Sequence, residues 1–306
     1  MVGLKMDLPD AFFEEEIRCG YTVSRERKEL WAVELDLLNE FDRVCREHGL
    51  KYFSDGGTTL GAARHNGFIP WDDDIDLVMF RADYNRLCEV ASEEFHEPYF
   101  FQTEHTDRGS MRGHAQLRNS QTTCILMTEL ETGLTFNQGI FIDIFPVDSV
   151  PENGKKRRRF INRILRKRKM AAAFARLSSR YRKCPASLKE YLIRMVHVLL
   201  GRARNPLYDS YEKYMQSYSG YSEKIGILCL PVIPDRFILE RSWYSSAVMM
   251  PFESLLIPVC KDYEEYLNKM YGDWKTPEQV MNLHGGILLD TGRPYTEYIK
   301  HNKSAY

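Results

Sequence analysis

Between Ser24 and His48 apolar side chains recur at every third or fourth position: Leu30, Leu37, Leu38, Phe41, Val44 and Cys45. That period turns one stripe of a helix toward a core. Ser24 can cap its start and Gly49 can close its end. Leu50–Ser54 then predicts a short strand. The turn Asp55-Gly56-Gly57-Thr58-Thr59 opens a short helix through Ala63. Phe68–Trp71 leads into a second strand, Asp74 to Phe80. Arg81–Phe95 is helical again, with Tyr84, Leu87, Val90 and Ala91 on one face. Further strands are predicted at Tyr99–Thr103, His114–Arg118, Thr122–Met127 and Gly139–Phe145. Helices and strands thus mix around one sheet, and the expected class is α+β.

The second half changes character. Lys156–Arg182 and Leu188–Arg202 predict two helices joined at Cys184-Pro185, and Tyr208–Tyr218 a third. Phe237–Pro258 reads as short β structure, and Lys261–Tyr271 as a helix stopped by Gly272. The one compositional break is Pro151-Glu152-Asn153-Gly154, just before a run of charge.

Composition adds the rest of the picture. The 306 residues are 43% apolar and 28% charged, which excludes a disordered, collagen-like or coiled-coil chain. The formal charge is −1, yet Lys155–Lys183 holds 14 Lys/Arg and no acid, leaving 28 basic against 43 acidic residues elsewhere. A basic helical segment is set into an acidic body. Seven cysteines, an odd count without C-x-x-C, read as free thiols in a reducing compartment. No signal-peptide pattern and no apolar run of about 18 residues is visible, so the expected location is cytoplasmic, with peripheral attachment to the inner face of the cell membrane through the basic segment as a further option.

The chemistry concentrates in Trp71-Asp72-Asp73-Asp74-Ile75-Asp76. On a strand, Asp74 and Asp76 share a face, with Asp72 beside them if the strand reaches that far. Clustered carboxylates repel, and a hard divalent cation relieves the repulsion; oxygen ligands favour Mg²⁺ or Mn²⁺ over zinc. An acidic surface turn or a calcium loop is the bland alternative. Upstream, Gly56, Gly57 and Thr58 stand where a strand meets a helix, a place suited to phosphate. Downstream, Phe141-Ile142-Asp143-Ile144-Phe145 puts one carboxylate inside an apolar strand, costly unless it meets a metal or hydrogen-bond donors. Glycine turn, paired Asp and a third Asp on a later strand follow the order of the nucleotidyltransferase fold.

The segment Asp55–Asp76, with the following Arg81-Ala82-Asp83-Tyr84, resembles the signature of the LicD family. Arg118-Asn-Ser-Gln-Thr122 resembles its R-x-x-x-T strand, and Gly139–Asp148 its third-carboxylate strand. Phe252-Glu253, Pro258, Tyr266-Leu267, Tyr271-Gly272-Asp273, Pro277 and His284 follow its closing pattern. The resemblance covers roughly Leu30 to His284; the basic segment Lys155–Arg204 matches none of its motifs. It implies a nucleotidyltransferase-like mixed sheet with flanking helices; with the compositional break at Pro151–Gly154, the expected organisation is a catalytic core in 1–150, a basic helical insertion in 151–205, and a C-terminal part in 206–306 completing the catalytic domain. It also implies a divalent metal and transfer of a phospho-alcohol, typically phosphocholine, from a CDP-linked donor to a hydroxyl of a surface glycan such as teichoic acid or lipopolysaccharide. Relatives of the fukutin type transfer phosphoribitol.

On that reading Asp74 and Asp76 hold the metal, and Asp143 completes the site or takes the acceptor's proton. Asp72 stands in for either role. Gly56, Gly57 and Thr58 cradle phosphate oxygens. Arg64 or His65 offsets charge on the leaving CMP, against a surface ion pair for Arg64. His284 contacts the donor, against a structural role. Trp71 either stacks on a base or plugs the core, and Tyr208, Tyr211, Tyr214, Tyr218 and Tyr221 pack against the body or form a choline cage. The partners expected are the CDP-linked alcohol, a glycan acceptor that could be lipid-linked, and an anionic membrane surface met through 155–204. Nucleic acid is not expected, because the basic run lacks a reader motif. A D-x-D glycosyltransferase or a true nucleotidyltransferase shares the metal, and a catalytically dead scaffold is the reading from another class.

Overall fold

The computed structural model describes residues 1–126, 136–177, 205–218, 221–278 and 286–303. A hairpin of β1 (Glu16–Arg18) and β2 (Tyr21–Val23) leads into α1 (Arg25–Glu47). Ser24 caps α1 as expected, its Oγ accepting the Arg27 N–H at 3.3 Å. The chain continues through β3 (Phe53–Ser54), α2 (Gly56–His65), β4 (Asp76–Phe80), α3 (Arg81–Glu94), β5 (Tyr99–Gln102), β6 (Ala115–Asn119), β7 (Thr123–Leu126) and β8 (Ile140–Ser149). After α4 (Gly154–Leu177) and α5 (Pro206–Met215) come β9 (Lys224–Ile227), β10 (Ile238–Glu240), β11 (Ala247–Phe252), β12 (Leu255–Cys260), α6 (Tyr263–Tyr271), β13 (Ile287–Asp290) and α7 (Tyr295–Lys303). The chain is α+β.

One mixed sheet organises these elements. β4 and β8 run parallel at its centre, and β3 pairs antiparallel with β4. The ten-residue β8 is long enough to take two antiparallel partners, β6 along its first half and β9 along its last residues. β5 extends the sheet beyond β6, and β10 beyond β9. β11–β12 and β7–β13 form separate antiparallel pairs.

Strand alternation divides the core in two. Leu77, Met79, Ile142, Ile144, Ala115 and Leu117 pack beneath Trp31, Leu35, Leu38 and Phe41 of α1. Val78, Phe145 and Val147 face the other way, toward Phe160, Ile164 and Ala171 of α4 and Tyr208, Tyr211 and Met215 of α5. The tyrosines of 208–218 therefore serve packing: Tyr214 and Tyr218 lie against Phe160 at 5.2 and 6.1 Å, and Tyr208 against Tyr211 at 5.7 Å. Tyr221 is exposed.

Two expectations are corrected here. The strand expected from Asp74 begins at Asp76. The backbone before it is drawn out of any ladder: Asp72 N–H donates to Ile69 O, and Asp72 O accepts from Trp31 Nε1 at 3.1 Å and Arg27 Nη1 at 3.0 Å. The helix expected over Lys156–Arg182 starts at Gly154 and is described through Leu177, its first turn tied by the Asn153 side chain to Lys156 N–H. The predicted helix Leu188–Arg202 lies outside the described residues. The hairpin β1–β2 and the strands β9 and β13 were not foreseen.

Candidate active site

The central ladder sets Asp76 of β4 directly beside Asp143 of β8. Asp143 N–H donates to Ile75 O at 2.9 Å, which fixes that register. Because Leu77, Ile142 and Ile144 must enter the core under α1, alternation sends both carboxylates to the opposite face. The backbone of Asp76 is held from both sides. Its N–H donates to Thr58 Oγ1 at 2.8 Å, and its carbonyl accepts from Asp55 N–H at 2.9 Å. The N-terminus of α2 therefore hangs on the first residue of β4.

The two glycines of α2 face this point. Gly56 has φ +51, and a Cβ there would stand 3.1 Å from Asp76 Oδ2. A Cβ on Gly57 would crowd Asp72 Oδ2. The positive φ favours glycine at position 56, and at both positions a carboxylate stands where a side chain would begin. Asp72 and Asp74 arrive from the loop before β4 rather than by strand alternation. Carboxylate oxygens of Asp72, Asp73 and Asp74 lie within 4.8 Å of one another. Asp73, absent from the expected set, turns partly to α1, with Oδ2 3.5 Å from Arg27 Nη1.

The C-terminal part supplies the wall. Tyr266 of α6 donates its hydroxyl hydrogen to Asp55 Oδ1 at 2.8 Å and accepts the Gly56 N–H at 2.7 Å. The Tyr271 hydroxyl would lie 3.8 Å from a Cβ on Gly56.

Electrostatics mark Asp76 as the centre. Burial first, then the charges of Asp74, Asp143, Asp55 and Asp72, push its carboxyl well above the usual range. Asp55 is pushed up to about 6 by burial, against the Tyr266 and Gly56 hydrogen bonds. Asp72 also rises to about 6, through burial and then Asp73. Asp143 goes the other way. Burial raises it, but His114, Arg112 and Gln116 together outweigh that and hold it below the ordinary value. Four carboxylates crowd that of Asp76, and this excess of negative charge on hard oxygen donors fits Mg²⁺ or Mn²⁺.

Several expected residues take other places. Thr58 is buried, and its hydroxyl oxygen holds the Asp76 N–H rather than facing an open phosphate site. The Gly56 N–H is engaged by Tyr266, which leaves Gly57 as the glycine whose amide can meet an anion. Arg64 and His65 sit at the far end of α2, about 12 Å along its axis from Gly56. Arg64 Nη1 donates to Trp274 O at 2.9 Å, and its Nε donates to His65 Nε2 at 2.9 Å. Neither reaches the carboxylates by a hydrogen bond or ion pair among the described residues. Trp71 packs edge-on against Tyr21 at 6.0 Å. His284 lies outside the described residues.

The structure adds residues that local patterns did not mark. His114 Nε2 lies 3.0 Å, and Gln116 Nε2 2.7 Å, from Asp143 Oδ1. Glu34 of α1, 1% exposed, is raised well above its usual value by burial and then by Asp74 and Asp73. Its signal was an acid on the apolar stripe of a helix.

Comparison with known proteins places this geometry. A family model described as "LicD/FKTN/FKRP, nucleotidyltransferase domain" matches residues 49–170, the stretch from before β3 into α4. The chain carries a LicD-family domain. Beyond that domain, the lipopolysaccharide cholinephosphotransferase LicD of Haemophilus influenzae is 28% identical over 268 residues, 84% of this chain and 95% of that protein. The ribitol 5-phosphate transferase FKRP of Homo sapiens is 49% identical over 51 residues, 17% of this chain and 10% of FKRP. The LicD domain thus contains Asp55, Asp72, Asp74, Asp76 and Asp143, while Tyr266 and Tyr271 reach it from the C-terminal part.

Proposed function

We propose that this chain is a phosphotransferase that moves a phospho-alcohol, phosphocholine or a similar group, from a CDP-linked donor to a hydroxyl of a cell-surface glycan and releases CMP. The observation that carries this reading is the convergence of Asp55, Asp72, Asp74 and Asp143 on half-buried Asp76 at the N-terminus of α2. Likeness to LicD over nearly that protein's full length supports the transfer of a phospho-alcohol.

Mg²⁺ or Mn²⁺ held by Asp74, Asp76 and Asp143 would neutralise the donor's diphosphate and polarise its phosphoryl oxygens. Gly57 and the first turn of α2 offer backbone amides to a phosphate oxygen. The acceptor oxygen attacks the phosphorus that bears the alcohol. The bond to the bridging oxygen breaks, and that oxygen leaves on CMP. The hydroxyl proton passes to a carboxylate. Asp143, held low, suits a ligand; Asp72, pushed up to about 6, is the stronger base.

The reading extends to the membrane. No helix among the described residues is long and apolar enough to cross one. The apolar stripe of α4 is consumed by packing, while Lys155, Lys156, Arg158, Arg159, Arg163, Arg166 and Lys169 stay exposed. A basic face of this kind suits an anionic leaflet presenting a lipid-linked acceptor.

Product analysis tests the chemistry. With Mn²⁺ or Mg²⁺ and a panel of CDP-choline, CDP-ribitol and CDP-glycerol, phosphorus NMR should show CMP and a phosphodiester on the glycan. Pyrophosphate formed from CTP and a phospho-alcohol would replace this reading with nucleotidyl transfer. Turnover of UDP-sugars would replace it with glycosyl transfer.

A further inference from the structure

A row of polar side chains crosses four strands of the sheet. Gln102 of β5 pairs in register with Gln116 of β6, Gln116 with Asp143 of β8, and Asp143 with Asp76 of β4. Register partners share a face, so all four stand on the side away from α1. Arg118 is two residues beyond Gln116 on that same face, and it is 1% exposed.

The hydrogen bonds along this row run in one direction. Gln102 Nε2 donates to Asp107 Oδ2 and to Asn137 O, both at 2.9 Å, so its Oε1 must face Arg118. Arg118 Nε donates to that oxygen at 2.7 Å, and its Nη1 donates to Gly139 O at 2.6 Å. The Phe141 ring lies 4.6 Å from the guanidinium carbon. Arg118 Nη2 then donates to Gln116 Oε1, which turns Gln116 Nε2 onto Asp143 Oδ1 at 2.7 Å. Flipping the Gln116 amide would press its NH₂ against the guanidinium and leave Asp143 without that donor. Oδ1 also meets His114 Nε2 at 3.0 Å. Among the described residues no hydrogen bond reaches Asp143 Oδ2.

We infer that Gln116 and Arg118 are positioning residues. Arg118 sets the Gln116 amide, Gln116 and His114 occupy Asp143 Oδ1, and Oδ2 is thereby presented to the cation beside Asp76. The inference rests on the proposed metal site. It explains why a charged side chain is buried two residues from the row: a neutral side chain of that reach cannot donate to Gln102, Gly139 and Gln116 together.

Mn²⁺ binding to the full-length protein, followed by the free-Mn²⁺ electron paramagnetic resonance signal, tests it without turnover. Gln116→Met keeps the volume and loses the amide. Gln116→Asn keeps an amide one methylene too short to meet both Arg118 and Asp143. Outer-shell partners of metal ligands typically contribute 10–100-fold in affinity. Each variant that retains the wild-type circular dichroism spectrum should bind Mn²⁺ at least about 10-fold more weakly. Activity should return toward the wild-type kcat at saturating Mn²⁺, since the chemistry itself is untouched. Wild-type Mn²⁺ affinity in folded Gln116→Asn overturns the positioning role. Asp76→Asn separates the two claims: if it also binds Mn²⁺ normally, the metal site itself is wrong.

Discussion

Asp72 Oδ2 lies 2.5 Å from the point where a Cβ on Gly57 would stand. The carboxylate fills the notch that glycine leaves at the start of α2, so a methyl group there must displace it. Only a side-chain end has to shift, so Gly57→Ala should fold with a melting temperature near that of wild type. Phospho-alcohol transfer should fall by about 10-fold or more, because misplacement near reacting groups is costly. Gly61→Ala is the contrast. Its Cβ would run into the Gly67 carbonyl, which is backbone and cannot swing aside. Overpacking of this kind costs roughly 1–3 kcal/mol, and thermal unfolding should show it.

Asp76→Asn removes one charge from a site with too many. The variant should melt at or above the wild-type temperature in the presence of EDTA, since burial and four neighbouring carboxylates already oppose the charged form. Transfer should drop by about 10²-fold or more, the usual loss for a charge clamp. Mn²⁺ should raise the melting temperature of wild type and leave that of Asp76→Asn unchanged, because a ligand stabilises only the state that binds it. Thermal scans with and without metal check both statements.

His65 carries a pH signature of its own. Burial, then the Arg64 and Arg18 charges, hold its imidazole down to about 4, against an ordinary value of 6.5. Protonation would also break the hydrogen bond that Nε2 accepts from Arg64. Between those two values the unfolded chain binds a proton that the folded chain refuses. The stability from this group is therefore full above pH 6.5 and is lost as pH falls toward 4. Melting temperatures between pH 7 and pH 5 should fall more steeply for wild type than for His65→Gln. Parallel slopes would remove His65 from the pH response.

The basic face of α4 can be tested on vesicles. Lys167 donates to Ser210 Oγ at 2.6 Å and Arg157 to the Pro151 and Glu152 carbonyls, so these two serve the fold. Arg158, Arg159, Arg166 and Lys169 are exposed. Each basic residue near an anionic leaflet contributes about 1 kcal/mol, decaying over a Debye length. Changing these four to Gln should sharply weaken co-sedimentation with anionic vesicles at low salt while leaving transfer to a soluble acceptor unchanged. Equal sedimentation with neutral vesicles would refute an electrostatic surface.

The acids of the site were legible because they break a pattern. Asp143 interrupts an apolar strand, and Asp72–Asp76 concentrates charge beside Ile75 and Leu77; neither is affordable in a core without a purpose. The glycines were legible as a turn, although their reason, the carboxylates standing over them, is a tertiary fact. His114 and Gln116 carried no local sign of a site role, and Arg118 and Tyr266 stood out only as motif positions of the LicD resemblance, because their tasks depend on strand register and on a helix some 210 residues away. The short strands β1, β2, β9 and β13, three or four residues each, offer too few alternations to be read. Arg64 and His65 stand two helical turns from the glycine turn once α2 forms, a distance that adjacency in sequence does not show.

The bond from Tyr266 to Asp55 has a consequence for how the protein is made. Residues 55 and 76 leave the ribosome early, and α6 has yet to be synthesised when β8 could first pair with β4. Until Tyr266 emerges, the Asp55 carboxylate and the Gly56 amide have no tyrosine to meet. The nascent chain can thus acquire its sheet before the start of α2 is walled in, and the last step of assembly falls after most of the translation is over. A premature stop between β8 and α6 would release a chain with its acids in place and its wall missing.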